Sequence, residues 1–306
     1  MNVPPLERWR GLFRLSDHAR AIVQALFVTF LWSTSWVIIK LGLRESIPAL
    51  TFAGMRYTLA ALCLLPFALR RSSTPIRSLN RRDLLLLGTL GLLYYAVTQG
   101  AQFLSLSYLP SATVSLLLSF SAIVVVGLGI RLLNETPTRS QWFGLALYFA
   151  GVIAYFVPLQ FSSGELLGVV IAIAGLLANA MSSVIGRSIN REGKLSPLLI
   201  TLISMSIGGV LLLVVGLLTQ GVPPLSLTTL LLVAWLAVVN TALAFTLWNK
   251  TLQTLSAFES SIINNAMMVQ IPILAWLFLG EGISLKNALA FSVAGCGILI
   301  VQLRRG

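Results

Sequence analysis

Residues Ser111–Gly151 read SATVSLLLSFSAIVVVGLGIRLLNETPTRSQWFGLALYFAG. An apolar run leads into Leu133-Asn134-Glu135, a polar turn follows, and a second apolar run carries Ala150-Gly151-Val152-Ile153. The same order returns further on. An apolar run from Ala257 reaches Leu279-Gly280-Glu281, and after a short turn comes Cys296-Gly297-Ile298-Leu299. Glu135 and Glu281 stand 146 residues apart, and so do Gly151 and Gly297. Two landmarks at one spacing, with no gap between them, indicate an internal duplication. The spacing also runs backwards: Leu84-Leu85-Leu86-Leu87 falls on Leu230-Leu231-Leu232-Val233, and Leu31-Trp32 on Leu177-Ala178. The chain reads as two copies of one unit.

Composition sets the solvent. Of 306 residues, 57% are hydrophobic and 10% are charged, with a mean hydropathy of +0.91. A soluble domain carries roughly 25% charged residues. So much apolar surface cannot be hidden from water, so lipid must cover it. The net charge of +12 does not point to nucleic acid, because the basic residues sit in short clusters between apolar runs. Cys63 and Cys296 lie inside apolar runs and read as small hydrophobes, with no disulfide framework.

Residues 1–20 place Trp9, Leu12 and Phe13 on one helical face among Arg8, Arg10 and Arg14. That is the pattern of a basic amphipathic helix lying on an anionic leaflet, or else of a disordered tail. No small-residue cleavage site follows the apolar run that holds Trp32 and Trp36, so a removed signal peptide is not expected. Ten apolar segments follow, near 21–40, 49–69, 84–106, 111–132, 141–158, 165–187, 196–218, 227–249, 257–279 and 284–303. Each approaches the ~20 residues a helix needs to cross hydrocarbon. The runs are long and continuous, which excludes the alternating short strands of a barrel.

Basic residues set the orientation. With the N-terminus in the cytoplasm, the inner loops and tails hold Arg8, Arg10, Arg14 and Arg20, then Arg70, Arg71, Arg77, Arg81 and Arg82, then Arg131 and Arg139, Arg187, Arg191 and Lys194, Lys250, and Arg304 and Arg305. The outer loops hold Lys40, Arg44 and Lys286. That bias predicts a multi-pass protein of the cytoplasmic membrane with both termini in the cytoplasm. Five spans per copy is an odd number, so residues 165–303 are expected to insert upside down relative to residues 21–158. The expected fold is an all-α integral membrane protein, with ten transmembrane helices as two inverted five-helix repeats around a central cavity. Inverted repeats recur in secondary transporters, where two related halves rock about a midplane site.

Several stretches together resemble EamA-type members of the drug/metabolite transporter superfamily. These are Trp32-Ser33-Thr34, Phe52-Ala53-Gly54-Met55-Arg56-Tyr57, and Leu279-Gly280-Glu281 followed by Gly297. The resemblance covers the chain from about residue 21 onward. It implies ten helices in inverted five-helix repeats, a central cavity, and peripheral fifth and tenth helices. Family members commonly export amino acids or other small metabolites. A proline often found midway along the fourth helix is absent here, where the chain reads Ser119-Phe120-Ser121-Ala122.

Polar residues inside a span are costly and turn towards the bundle or a watery cavity. Tyr95, Gln99 and Gln102 share one face of the third span, and Ser111, Ser115 and Ser119 form a row on the fourth. Asn179, Ser182 and Ser183 lie in the sixth, Asn240, Trp248 and Asn249 in the eighth, and Ser261, Asn264, Asn265, Met268 and Gln270 in the ninth. Trp32 and Trp36 are one turn apart in the first. The expected substrate contacts are Trp32, Tyr95, Gln99, Gln102, Ser115, Asn179, Asn240, Trp248, Asn264, Asn265 and Met268. Serines and amides also serve helix–helix contact alone, and that reading stays open beside the first. Arg56, within the second span, reads as structural or as a carboxylate attractor. Glu135 and Glu281 read as structural. Glu259 opens the ninth span, where a carboxylate suits the positive helix end or carries a proton.

These observations favour a secondary transporter working by alternating access on a small-molecule substrate, most simply effluxing an amino acid or a similar solute. The scarcity of carboxylates in the spans leans towards movement down a gradient. No cofactor or metal is expected, and the partners are the substrate and the bilayer. An intramembrane enzyme is disfavoured. The single histidine, His18, and the two aspartates, Asp17 and Asp83, lie outside the spans, and no phosphate loop occurs. A lipid flippase or scramblase is the alternative.

Overall fold

The structure is a computed structural model that describes residues 16–71, 79–121, 123–125, 127–128, 138–157, 162–224 and 226–302. The expected amphipathic face of Trp9, Leu12 and Phe13, and Glu135 with its neighbours, lie outside the described residues. All regular structure among the described residues is helical.

Each helix starts where the local chemistry lets it. Ser16 caps α1 (Asp17–Arg44) by accepting from Ala19 N at 3.1 Å, with Asp17 in the first turn and Arg44 in the last. Both charges complement the helix dipole. Helix α2 (Ala49–Arg71) carries Pro66 internally. Helix α3 (Arg81–Tyr108) opens on a capping box between Asn80 and Asp83. Its middle, Gly91–Thr98, is π-helical. Pro110 precedes α4 (Ser111–Ser119). Capping boxes at Thr138/Gln141 and Ser162/Glu165 open α5 (Arg139–Phe156) and α6 (Ser163–Glu192). Ser196 and Pro197 open α7 (Pro197–Gln220). Helix α8 (Leu227–Thr251) has its own π-helical segment at Val238–Leu243. Then come α9 (Ala257–Asn264), α10 (Met267–Leu279) and α11 (Leu285–Gln302). Gly193 (φ 66°) ends α6 and Gly280 (φ 71°) ends α10, both in the left-handed conformation that closes a helix.

Among the described residues, seven helical stretches are long and apolar enough to cross a membrane: α1, Ala49–Ala68 in α2, α3, Gly164–Glu192 in α6, α7, α8, and Ile262–Leu279 across the α9–α10 break. The other three expected spans correspond to a shorter apolar helix, Ser111–Val125, and to the 18-residue helices α5 and α11. The fourth span is interrupted although it lacks the proline. Phe120 N bonds to Leu117 O at 3.2 Å and Ile123 N to Phe120 O at 3.1 Å, a tight turn in place of the α-helical pattern.

Burial is distributed as lipid demands. Leu218, Leu285 and Leu227 are more than 70% exposed on the outside, while Arg56 is 2% exposed and Gln99 7%. The main apolar core gathers Trp32, Tyr57, Tyr95, Phe103, Phe245 and Trp248. Helices α2 and α7 pack extensively and antiparallel: Leu50 N bonds to Gln220 Oε1 and Thr51 Oγ1 to Gly221 O, so the start of one meets the end of the other. Helices α5 and α11 form the other extensive pair. A Cβ on Gly151 would lie 2.5 Å from Ala290 O and 2.6 Å from Ala294 N. One on Gly297 would lie 2.5 Å from both Gly144 O and Tyr148 N. Only hydrogen fits at either position, and the reversed order of contacts makes this crossing antiparallel as well. Small residues that let backbones approach are the usual currency of helix association in lipid.

Candidate functional site

The interior of the bundle holds a cavity. Helix α1 brings Trp32, Ser35 and Trp36 to it; α2 brings Arg56 and Tyr57; α3 brings Tyr94, Thr98, Gln99 and Gln102. Ser115, Leu118 and Ser119 come from α4, Asn179 from α6 and Phe245 from α8. Asn264 ends α9, Asn265 stands in the break, and Met267, Met268 and Ile271 open α10. A second chamber adjoins it, lined by Tyr95, Ser121, Ser182, Ser183, Trp248, Asn249 and Ser260 among others. Tyr94, Asn179 and Asn264 line both, so they form the partition.

The structure brings eight of the eleven expected substrate contacts to the first chamber: Trp32, Gln99, Gln102, Ser115, Asn179, Asn264, Asn265 and Met268. Tyr95 and Trp248 line the second. Asn240 lines neither. Its Nδ2 donates to Leu31 O and, at 2.9 Å, to Thr34 Oγ1, joining α8 to α1. Gln270 likewise turns to α1, accepting from Ser33 Oγ at 2.8 Å. Asn249 borders the second chamber while bonding Thr201 Oγ1 at 2.7 Å and accepting from Asn190 at 3.0 Å. Tyr57, Tyr94 and Phe245 carry much of the aromatic wall and stood outside the expected set. Tyr57 lies in the motif beside Arg56 and Tyr94 beside Tyr95, but nothing in the sequence marks Phe245.

The rings pack closely. Phe245 lies 4.7 Å from Trp32, 5.1 Å from Tyr95 and 5.5 Å from Tyr94 between centroids, and Trp32 lies 5.1 Å from Trp248. Polar groups are placed among them. Tyr57 Oη donates to Gln99 Oε1 at 2.6 Å. Asn179 Nδ2 reaches Ser121 Oγ at 3.3 Å, and Asn265 Nδ2 reaches Ser119 O at 3.4 Å. The indole Nε1 of Trp32 is buried and has no hydrogen-bond partner among the described residues.

Arg56 is anchored by the π-helical segment of α8. Its Nε donates to Thr241 Oγ1 at 2.6 Å and its Nη2 to Asn240 O at 3.1 Å. Thr241 Oγ1 in turn bonds Leu236 O, five residues back, at 2.6 Å. A π turn widens the helix, leaves a carbonyl for an outside donor, and is often found at functional sites. The Arg56 guanidinium also stands 5.1 Å from the Tyr57 ring centre and 5.9 Å from that of Phe103.

Of the acidic residues singled out from sequence, Glu259 and Glu281 line neither chamber, and Glu135 lies outside the described residues. Glu281 accepts from Ser111 N at 3.4 Å and from Ser111 Oγ at 3.1 Å, capping α4 from the loop after α10. Glu259 accepts from Ser256 N at 2.9 Å and lies 3.5 Å from His18 Nε2, so it ties the starts of α9 and α1. No cluster of His, Cys, Asp and Glu suited to a metal occurs among the described residues. The arrangement sets aromatic ring faces beside a larger number of hydroxyl and amide groups, a combination of apolar surface and placed polar contacts that suits a small molecule.

Comparison with known proteins follows the same direction. The sequence model of the EamA-like transporter family matches residues 19–157 and again residues 166–303. A Salmonella typhimurium protein named "Probable amino-acid metabolite efflux pump" is 26% identical over 238 residues, covering 74% of this chain and 76% of its own. The Bacillus subtilis protein named "Uncharacterized transporter YoaV" is 27% identical over 301 residues, covering 92% and 96%. A solved structure titled only "Crystal structure of protein" superposes with a TM-score of 0.70 at 16% identity, over 91% of this chain and 96% of that one, a likeness of fold.

Proposed function

This chain belongs to the EamA-like transporter family, and on that premise we propose that it exports a small metabolite, an amino acid or similar amphipathic solute, by alternating access through the central cavity. It is a multi-pass membrane transporter and not an enzyme. A lipid flippase, the alternative raised by the sequence, finds no support among relatives named as transporters and efflux pumps.

The observation that carries the reading is the convergence of Gln99 from α3 and Asn264 from α9 on one cavity. In the proposed ten-span arrangement of two inverted five-helix repeats, these residues belong to opposite halves. A solute between them touches both parts that rock. The repeat itself is supported by element spacing. Helix α4 begins at Ser111 and α9 at Ala257, and α5 runs Arg139–Phe156 while α11 runs Leu285–Gln302, each 146 residues on. The two π-helical segments, Gly91–Thr98 and Val238–Leu243, keep that spacing to within a residue. Both termini in the cytoplasm follow from the basic-residue bias. The amino-acid preference rests on the name of the Salmonella relative and on amides, which satisfy donors and acceptors alike.

Counterflow into proteoliposomes tests the reading. Vesicles preloaded with an unlabelled amino acid should accumulate the labelled compound transiently, and protein-free vesicles should not. The absence of counterflow across a panel of amino acids and related small metabolites, with accelerated movement of a fluorescent lipid between leaflets, would instead establish the flippase.

A further inference from the structure

The inference rests on the cavity being the substrate site, and concerns what that site selects. Its charge is one-sided. Among the described residues lining the two chambers, Arg56 is the one charged side chain, and neither chamber has an aspartate or glutamate in its wall. Arg56 is 2% exposed and makes no ion pair among the described residues. A buried cation without a counter-ion is costly. Neutral acceptors on Thr241 and Asn240 and the face of Tyr57 hold it, and none of these cancels its field. In a low-dielectric interior that field reaches across the cavity.

The free hydrogen-bonding groups point to the same polarity. Trp32 is 6% exposed, lines the cavity, and its Nε1 has no acceptor among the described residues. An indole N–H can only donate. A buried donor left unpaired carries a desolvation cost that an incoming acceptor removes. Gln99 is similarly committed, because the Tyr57 hydroxyl occupies its Oε1 and leaves its NH₂ as the available donor. Trp32, Tyr94 and Phe245 supply ring faces beside these donors.

We propose that the cavity selects solutes carrying a carboxylate on an apolar, ring-sized body, and rejects cations. Trp32 Nε1–H and the Gln99 NH₂ donate to the carboxylate while Arg56 supplies the fixed positive field. An ammonium group on the solute is dispensable, because the wall offers no carboxylate to receive it. A cationic solute meets an unneutralised positive charge and no compensating acid.

Three probes with similar bodies separate charge from shape: 3-phenylpropanoate (anion), phenylalanine (zwitterion) and phenethylamine (cation). Thermal stabilisation of the full-length protein in detergent gives their dissociation constants, since a ligand of the folded state raises the unfolding temperature. The anion should bind about ten-fold or more tightly than the cation, with the zwitterion on the anion's side. Trp32→Phe keeps a ring and removes the donor, and should weaken the anion about ten-fold. Gln99→Glu can still accept from Tyr57 but puts a carboxylate into the wall, and should reverse the order of anion and cation. Equal binding of phenethylamine and 3-phenylpropanoate overturns the proposal, as does the absence of binding by both carboxylates. An unchanged order in folded Gln99→Glu protein also overturns it. Anion-selective binding without counterflow would leave this assignment standing and remove the transport reading, whereas counterflow of the cation at the anion's rate would do the reverse.

Discussion

The side-chain amide of Asn265 donates to the backbone carbonyl of Ser119 at 3.4 Å, and the two residues are 146 positions apart. That is also the spacing of Glu135 from Glu281 and of Gly151 from Gly297. In a duplicated chain, a residue that touches its own counterpart lies at the axis exchanging the two copies. Both residues line the cavity, and both stand where a helix is interrupted, at Phe120 after α4 and at residues 265–266 between α9 and α10. In the proposed inverted-repeat arrangement, helices interrupted beside the cavity would bring backbone and side-chain polar groups to a solute.

The proposed orientation is tested by labelling in intact cells. Thr219 is exposed at the end of α7 and Gln253 is exposed in the turn after α8. With Cys63 and Cys296 replaced by alanine, a cysteine at Thr219 should react with an impermeant maleimide from outside, and one at Gln253 only after permeabilisation. The opposite pattern would place the termini outside.

At the α5–α11 crossing, a Cβ on Gly151 or Gly297 runs into backbone, not a yielding side chain. Gly151→Val and Gly297→Val should each cost about 1–3 kcal/mol, the usual range for overpacking. Gly88, with nothing within 4 Å of its Cβ position, should accept alanine without loss. Unfolding temperatures in detergent compare the three, and equal stability across them would contradict the close approach.

Tyr57 orients Gln99, and Asn264 stands across the cavity on the partition. Tyr57→Phe keeps the ring and releases the amide; Asn264→Ala removes a polar contact. Each should weaken transport affinity by about 1 kcal/mol, roughly five-fold, at unchanged expression. Wild-type affinity in both variants would make these groups helix glue.

Arg56 ties α2 to the π-helical segment of α8 through Thr241 Oγ1 and Asn240 O. Arg56→Ala should cost on the order of 3 kcal/mol, because charged donors are lost and the buried acceptors are left unpaired. Arg56→Lys should recover only part of it, since one ammonium does not reproduce the two-pronged geometry of a guanidinium. The yield of monodisperse protein on size exclusion reads the difference. A full recovery with lysine would show that charge alone matters there.

Composition alone settled the solvent and the helical class, because 57% hydrophobic residues in long runs leave the backbone no other way to satisfy itself in lipid. The 146-residue spacing was also readable in the chain, and the polar stripes picked out Gln99, Gln102, Asn179, Asn264 and Asn265, all of which line the cavity. Periodicity names a face of a helix but not the neighbour that covers it. Tertiary packing therefore decided that Asn240 and Gln270 face α1, and that Phe245, with no polar signal, forms the wall. The π-helical turns mattered most. Tyr95, Gln99 and Gln102 make one stripe on a regular helix, yet the wide turn at Gly91–Thr98 shifts the register, so Tyr95 faces one chamber and the two glutamines the other. Such a turn rests on contacts with other helices and leaves no pattern in local sequence.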